Sequence, residues 1–95
     1  MSSSRKVVLS KSFEKAFKKF VKGNSVLQDA IEKTIRLMEA DVFSPNLKTH
    51  KLSGKLFGLL ACSCGYDCRI IFTIEKQSGH EVILLVDIGT HSEVY

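Results

Sequence analysis

Two apolar, β-prone runs constrain this chain most: residues 70–74 (Ile-Ile-Phe-Thr-Ile) and 82–86 (Val-Ile-Leu-Leu-Val), on either side of a short polar loop with Gly79. Runs of this composition around a glycine-containing loop form an antiparallel hairpin. A fold-back centred near Ser78 sets face to face the residues whose numbers sum to about 157. Arg69 then lies opposite about Ile88, and Asp67 opposite about Thr90. A carboxylate, a guanidinium, the imidazole of His91 and the phenol of Tyr95 are thereby expected to converge at the open end of the sheet.

The segments before the hairpin supply the rest of a small domain. Residues 5–9 are β-prone and read as a first strand. Ser10 or Ser12 is placed to cap a helix in which Phe13, Phe17, Phe20 and Val21 share one side and Lys15, Lys18, Lys19 and Lys22 the other. Gly23-Asn24 stops that helix, and Ser25-x-x-Gln28 has the form of a capping box for a second one. Its inner stripe is Leu27, Ile31, Ile35 and Met38, and the short joint predicts an antiparallel helix pair. Pro45 ends the helical region, residues 46–55 read as a polar connector, and residues 56–64 as the second strand. The expected order is β-α-α-β-β-β in a single domain spanning residues 1–95. Strands gathered after helices point to an α+β fold, with the helix pair on one face of a small antiparallel sheet and the other face at least partly free for a ligand.

Composition narrows the function classes. At 95 residues and 44% hydrophobic, the chain can bury a core without metals or disulfides. No apolar run is long enough to span a membrane. No long apolar core follows Met1-Ser-Ser-Ser-Arg-Lys, so a cytoplasmic location is expected. The formal charge of +4 is lopsided: Arg5, Lys6, Lys11, Lys15, Lys18, Lys19 and Lys22 stand against the single acid Glu14 in the first quarter. Such a basic face suits a polyanion or an acidic partner, although a solvated helix face has the same composition. Cys62, Cys64 and Cys68 are odd in number and poorly spaced for zinc, which favours buried or half-buried thiols.

Several residues are suited to chemistry. His91 follows Gly-Thr where the last strand ends, and an imidazole exchanges protons near neutral pH. Arg69 offers a fixed-charge fork for a phosphate, or a cross-strand ion pair with Asp87 if the register moves by one residue. Asp67 either orients His91 or accepts a proton, or simply forms a turn. His50, flanked by Lys48, Lys51 and Lys55, reads as part of a phosphate-contacting patch. Tyr66 and Tyr95 can stack on unpaired bases, with packing as the plainer role for Tyr66. No glycine-rich nucleotide loop, Ser-His-Asp ordering or metal-ligating cluster is present in the sequence, so neither metal nor cofactor is expected. Without a metal, the chemistry open to these groups is attack of a ribose 2′-hydroxyl on its own phosphate, which restricts cleavage to RNA.

At these residues the chain resembles the RelE/ParE toxin superfamily of bacterial toxin–antitoxin systems, and within it the YafQ-like and RelE-like mRNA interferases. The resemblance spans nearly the whole chain. It is carried by Leu47-x-x-His50-x-Leu52-x-Gly54, by Gly65-Tyr66-Asp67-x-Arg69-Ile70, and by the ending Ile88-Gly89-Thr90-His91-Ser92-Glu93-Val94-Tyr95. It implies a small twisted sheet carrying two helices, and metal-independent mRNA cleavage, typically on the ribosome. It also implies a cognate antitoxin that silences the toxin in a hetero-oligomer. By resemblance, His91 is the general acid or base, Arg69 the transition-state clamp, Asp67 and His50 accompanying catalytic positions, and Tyr95 the C-terminal aromatic. The chain departs from its relatives at Ser63, where a histidine is usual, at Cys68, where an aromatic is, and at Asp87, where an arginine is; the RelE-type lysines of the second strand are also absent.

The reading is therefore an endoribonuclease toxin, with His91, Arg69, Asp67 and His50 as catalytic candidates. Tyr95, Lys48, Lys51, Lys55 and Tyr66 are the RNA-contacting candidates, and the expected partners are an antitoxin, mRNA and the ribosome. Two alternatives stand beside it. One is a ParE-like toxin that inhibits DNA gyrase without catalysis. The other is a degenerate module that binds RNA or antitoxin without cleaving.

Overall fold

The computed structural model describes residues 5–65 and 67–94. Strand β1 (Lys6–Leu9) leads into helices α1 (Lys11–Phe20) and α2 (Ser25–Asp41). Strands β2 (His50–Lys51), β3 (Leu60–Ser63), β4 (Arg69–Gln77) and β5 (His80–Gly89) follow, and a short helix α3 (His91–Val94) ends the described chain. The sheet order is β1-β5-β4-β3-β2. Neighbours from β2 to β5 run antiparallel, while β1 adds to the outer side of β5 in parallel, with Lys6 beside Val82.

Local chemistry accounts for the helix ends. The Ser10 hydroxyl accepts the Phe13 N–H at 3.0 Å, a cap worth about 1 kcal/mol. Phe13 and Val21 are buried, and the stacked rings of Phe13 and Phe17 lie 5.9 Å apart, while Lys11, Lys15, Lys18, Lys19 and Lys22 remain exposed. Helix α2 starts on a different cap from the one its sequence suggests. Asn24 Oδ1 accepts the Leu27 N–H at 3.0 Å, and Ser25 is already helical. An asparagine one residue earlier satisfies the same orphan donors, so the Ser25 box is not needed.

The connector is more structured, and the second strand shorter, than expected. Turns of 3-10 helix cover Pro45–Leu47 and Gly54–Leu56, with β2 between them. The strand expected over residues 56–64 is confined to Leu60–Ser63 because Gly58 takes φ +95° and the Leu59 N–H turns back to the Leu56 carbonyl at 3.0 Å. At the hairpin tip, Ser78 and Gly79 take φ 52° and 81°, the two positive values of a type I′ turn.

From Gln77–His80 to Phe72–Leu85 the hairpin keeps the expected pairing. Then Ile71 faces Asp87, and Val86 is left over as a bulge. Beyond it Arg69 faces Gly89, one residue past the expected Ile88. The bulge is tied to α1, since the Ser12 hydroxyl donates to the Val86 carbonyl at 2.8 Å and the Ser10 N–H to the Leu85 carbonyl at 3.1 Å.

The main core lies between helices and sheet, where Phe13, Ile31, Met38 and Leu47 meet Cys62, Ile70, Phe72, Ile83, Leu85 and Ile88. A smaller cluster occupies the opposite sheet face, where Val94 of α3 buries Ala61 and Ile71. That face is thus only partly open. Two of the three cysteines expected as thiols are joined in a disulfide, Cys64 to Cys68, while Cys62 stays free and buried. The tight β3–β4 turn explains the pairing: the Cys64 N–H bonds the Cys68 carbonyl at 3.0 Å, and the Cα atoms stand 5.1 Å apart, within disulfide reach.

Candidate active site

The β3–β4 turn and the end of β5 build the site together. Asp67 sits in the turn with φ 51°, a left-handed conformation that aspartate tolerates better than most residues. There its Oδ1 accepts the backbone N–H of His91 at 3.1 Å. The two residues are 24 apart in sequence, and His91 is the first residue of α3. The carboxylate therefore holds the backbone that presents the imidazole, and both side chains are exposed.

Arg69 opens β4 beside Gly89 and Ser63. It is half-buried, and its Nη1 donates to the Cys68 carbonyl at 2.9 Å, which fixes the guanidinium against the turn. The Arg69–Asp87 ion pair does not form. The bulge sets Asp87 opposite Ile71, and Asp87 Oδ1 instead accepts the Ile88 N–H at 2.8 Å.

His50 lies in the next row of the sheet. Successive pairings run His50–Ala61–Ile71–Asp87, so all four side chains share the face away from α1 and α2. Arg69 lies on that face two residues from Ile71. Strand spacings of about 4.8 Å put His50 and Arg69 roughly 12 Å apart at their Cα atoms, a separation suited to neighbouring nucleotides and not to one shared proton. His50 Nδ1 lies 2.9 Å from the Lys48 carbonyl, which can only accept, so Nδ1 carries a proton and Nε2 is the basic nitrogen of the neutral ring.

A groove of about 910 Å³ runs from this corner towards α2 and the Pro45–Leu47 turn. Arg69, Asp67 and Lys48 line it, together with Lys33 from α2 and the polar side chains of Ser63 and Asn46. Three cations against one carboxylate favour an anionic ligand. Lys33 was not singled out by sequence because it sits among the ordinary charges of a solvated helix face. Lys48 takes φ 53°, a position that turns it out of the 3-10 turn towards the groove.

The remaining candidates are more dispersed. Lys51 is exposed on β2 beside Leu60. Lys55 lies on the Gly54–Leu56 turn and lines a separate hollow of about 320 Å³ with Leu52, Ser53 and Leu56. Tyr66 and Tyr95 lie outside the described residues. Among the described residues no group of three His, Cys, Asp or Glu is gathered to hold a metal ion. Burial pushes the Cys62 thiol up to about 12, partly offset by the charge of Arg69, so Cys62 holds its proton at neutral pH.

The model of a family described as a bacterial toxin of type II toxin–antitoxin systems, YafQ, matches residues 5–95. No curated protein matches the sequence. Among solved structures, the chain is similar to the toxin of the Escherichia coli DinJ–YafQ toxin–antitoxin complex, with a TM-score of 0.74, 16% identity, and coverage of 97% of this chain and 98% of that one. It is similar to the Helicobacter pylori protein HP0894 at a TM-score of 0.67 and 26% identity, covering 96% and 99% of the two chains. The YoeB/ParE toxin from Agrobacterium tumefaciens superposes at a TM-score of 0.73 with 15% identity, over 90% of this chain and 98% of that one.

Proposed function

The chain belongs to the YafQ family of bacterial type II toxin–antitoxin toxins, and from that premise we propose that it is an endoribonuclease that cleaves mRNA without a metal ion. What carries the proposal is the Asp67–His91 hydrogen bond, which brings a proton-exchanging ring to the corner where Arg69 is anchored.

In this reading the phosphate binds at Arg69 and the RNA strand continues along the groove past Lys48. A base removes the proton of the ribose 2′-hydroxyl, and the 2′-oxygen attacks the adjacent phosphorus. The departing 5′-oxygen leaves with a proton from an acid, giving a 2′,3′-cyclic phosphate and a 5′-hydroxyl. His91 exchanges one of these protons, Arg69 offsets the charge of the phosphorane, and His50 acts one nucleotide away. Asp67 is a positioning residue, because one of its oxygens is committed to the His91 backbone.

The toxin of the Escherichia coli complex is bound by its antitoxin DinJ. By the same logic this chain takes an antitoxin of its own, with an acidic or apolar segment over the exposed lysines of α1. No helix among the described residues is long and apolar enough to cross a membrane, and both substrate and antitoxin are taken here as cytoplasmic.

Incubation of the purified chain with a defined mRNA, with and without ribosomes, tests the proposal. Site-specific cuts ending in cyclic phosphate are expected. Intact RNA in both reactions, together with blocked supercoiling by DNA gyrase, would replace it with the gyrase-directed reading.

A further inference from the structure

Cys68 stands directly between Asp67 and Arg69, and its disulfide to Cys64 closes the turn that carries both. We propose that Cys64 and Cys68 are positioning residues of the active site: their bond holds the β3–β4 turn in the form that presents Asp67 to His91 and anchors Arg69, so that a dithiol reductant turns the enzyme down. The inference rests on the nuclease reading given above.

Three observations support it. The closed turn relies on two positive-φ positions, Gly65 at φ 131° and Asp67 at φ 51°, a shape that the disulfide across it favours over the alternatives open to a reduced chain. Both site residues depend on that turn through specific atoms, since Asp67 Oδ1 receives the His91 N–H and the Cys68 carbonyl receives Arg69 Nη1. The bond spans four residues, and a loop so short restricts the unfolded chain less than a long one does, so its effect is chiefly local.

The thiol chemistry confines the effect to this pair. Reduction proceeds by attack of a dithiol's thiolate on one sulfur, giving a mixed disulfide and one free cysteine. The reagent's second thiol then closes its own disulfide and releases the other cysteine, so two electrons and two protons pass to the protein. Cys64 and Cys68 are both buried, so the turn must open before a reagent reaches them. Cys62 takes no part: it is buried beside Met38 with its proton retained, and a protonated thiol does not exchange.

The test compares the oxidised chain with the same chain after dithiothreitol, once mass spectrometry shows the gain of two hydrogens. RNA cleavage is measured as separate kcat and KM values, and exchange of the His91 backbone N–H is followed by NMR. Reduction is expected to lower kcat by about 10- to 100-fold, as small misplacements of reacting groups do, and to move KM by less than about twofold. Protection of the His91 N–H falls at the same time, and reoxidation restores both. The Cys64→Ser/Cys68→Ser chain should match the reduced enzyme and ignore dithiothreitol, whereas Cys62→Ala should keep the sensitivity. Equal kcat and equal His91 protection in the two redox states of the wild-type chain overturn the proposal. If neither state cuts RNA, the nuclease reading fails, and the His91 N–H alone decides whether the bond positions the turn.

Discussion

The carboxylate of Asp67 grips the backbone of His91, at 3.1 Å from Oδ1 to nitrogen, and leaves the imidazole to the solvent side. The aspartate thus acts through this bond on where the residue stands. A hydrogen bond to the peptide needs only an acceptor oxygen, whereas accepting a proton in the reaction would need a carboxylate.

That distinction separates two substitutions at position 67. Asp67→Asn keeps an acceptor oxygen and a residue that tolerates positive φ, so kcat should stay within about tenfold of wild type. Asp67→Ala loses the bond and the favourable conformation, and should be destabilised by about 1–2 kcal/mol as well as slower. Urea melts alongside single-turnover cleavage resolve the two effects, and equal inactivity of both variants would assign Asp67 a proton-transfer role instead.

His91→Ala should remove RNA cleavage and growth arrest while leaving antitoxin binding intact. The residue is exposed at the start of α3 and belongs to neither hydrophobic cluster. A folded His91→Ala protein that still arrests growth would dismiss the histidine from the mechanism.

Arg69→Ala should raise the barrier by about 2.7–4 kcal/mol, on the order of a hundred- to thousandfold in kcat, if the guanidinium stabilises developing charge as other preorganised donors do. Arg69→Lys should recover only part, because an ammonium is a compact point charge without the planar fork whose separate nitrogens can reach the Cys68 carbonyl and a phosphate at once. A change confined to KM would make Arg69 a binding residue only.

Lys33→Ala offers a readout on the groove. A lysine that contacts RNA phosphate should lower the slope of log affinity against log salt by about 0.7 for a single strand, with kcat unchanged at saturation. An unchanged slope would confine the RNA path to Lys48 and Arg69.

Cys62 adds an alkaline signature. Its thiol titrates at about 12 in the folded protein against 9.0 for an unperturbed group, so between these values the unfolded chain has released a proton that the folded one retains. Stability is therefore full below pH 9 and falls as the pH rises towards 12, by up to about 1.4 kcal/mol per pH unit from this one group. Cys62→Ala should flatten the slope by that amount in denaturant melts across pH 9–11.

Much of this was legible from residue order. Gly79 between two apolar runs gave the hairpin, and the hairpin brought Asp67 to the neighbourhood of His91. The alternation of phenylalanine and lysine in α1 told its buried side from its wet side. What escaped were features that leave no periodic trace. The bulge at Val86 lies within the unbroken apolar run of residues 82–86, where no polar residue marks which side each position takes. The Cys64–Cys68 bond depends on the sharpness of one turn, which composition does not encode. Lys33 joins the groove only because α2 passes over the β3–β4 turn, a tertiary fact with no local signature.

The leftover residue in β5 has a consequence for the parity of the whole C-terminal segment. Before it, odd-numbered Ile83 and Leu85 point into the main core; after it, even-numbered Ile88 does, and Asp87 pairs with Ile71 on the other face. Ironing the bulge out with every residue kept would not merely lengthen the ladder. It would turn a carboxylate inward among aliphatic side chains, push an isoleucine out into water, and deliver everything downstream, His91 included, to the wrong side of the sheet.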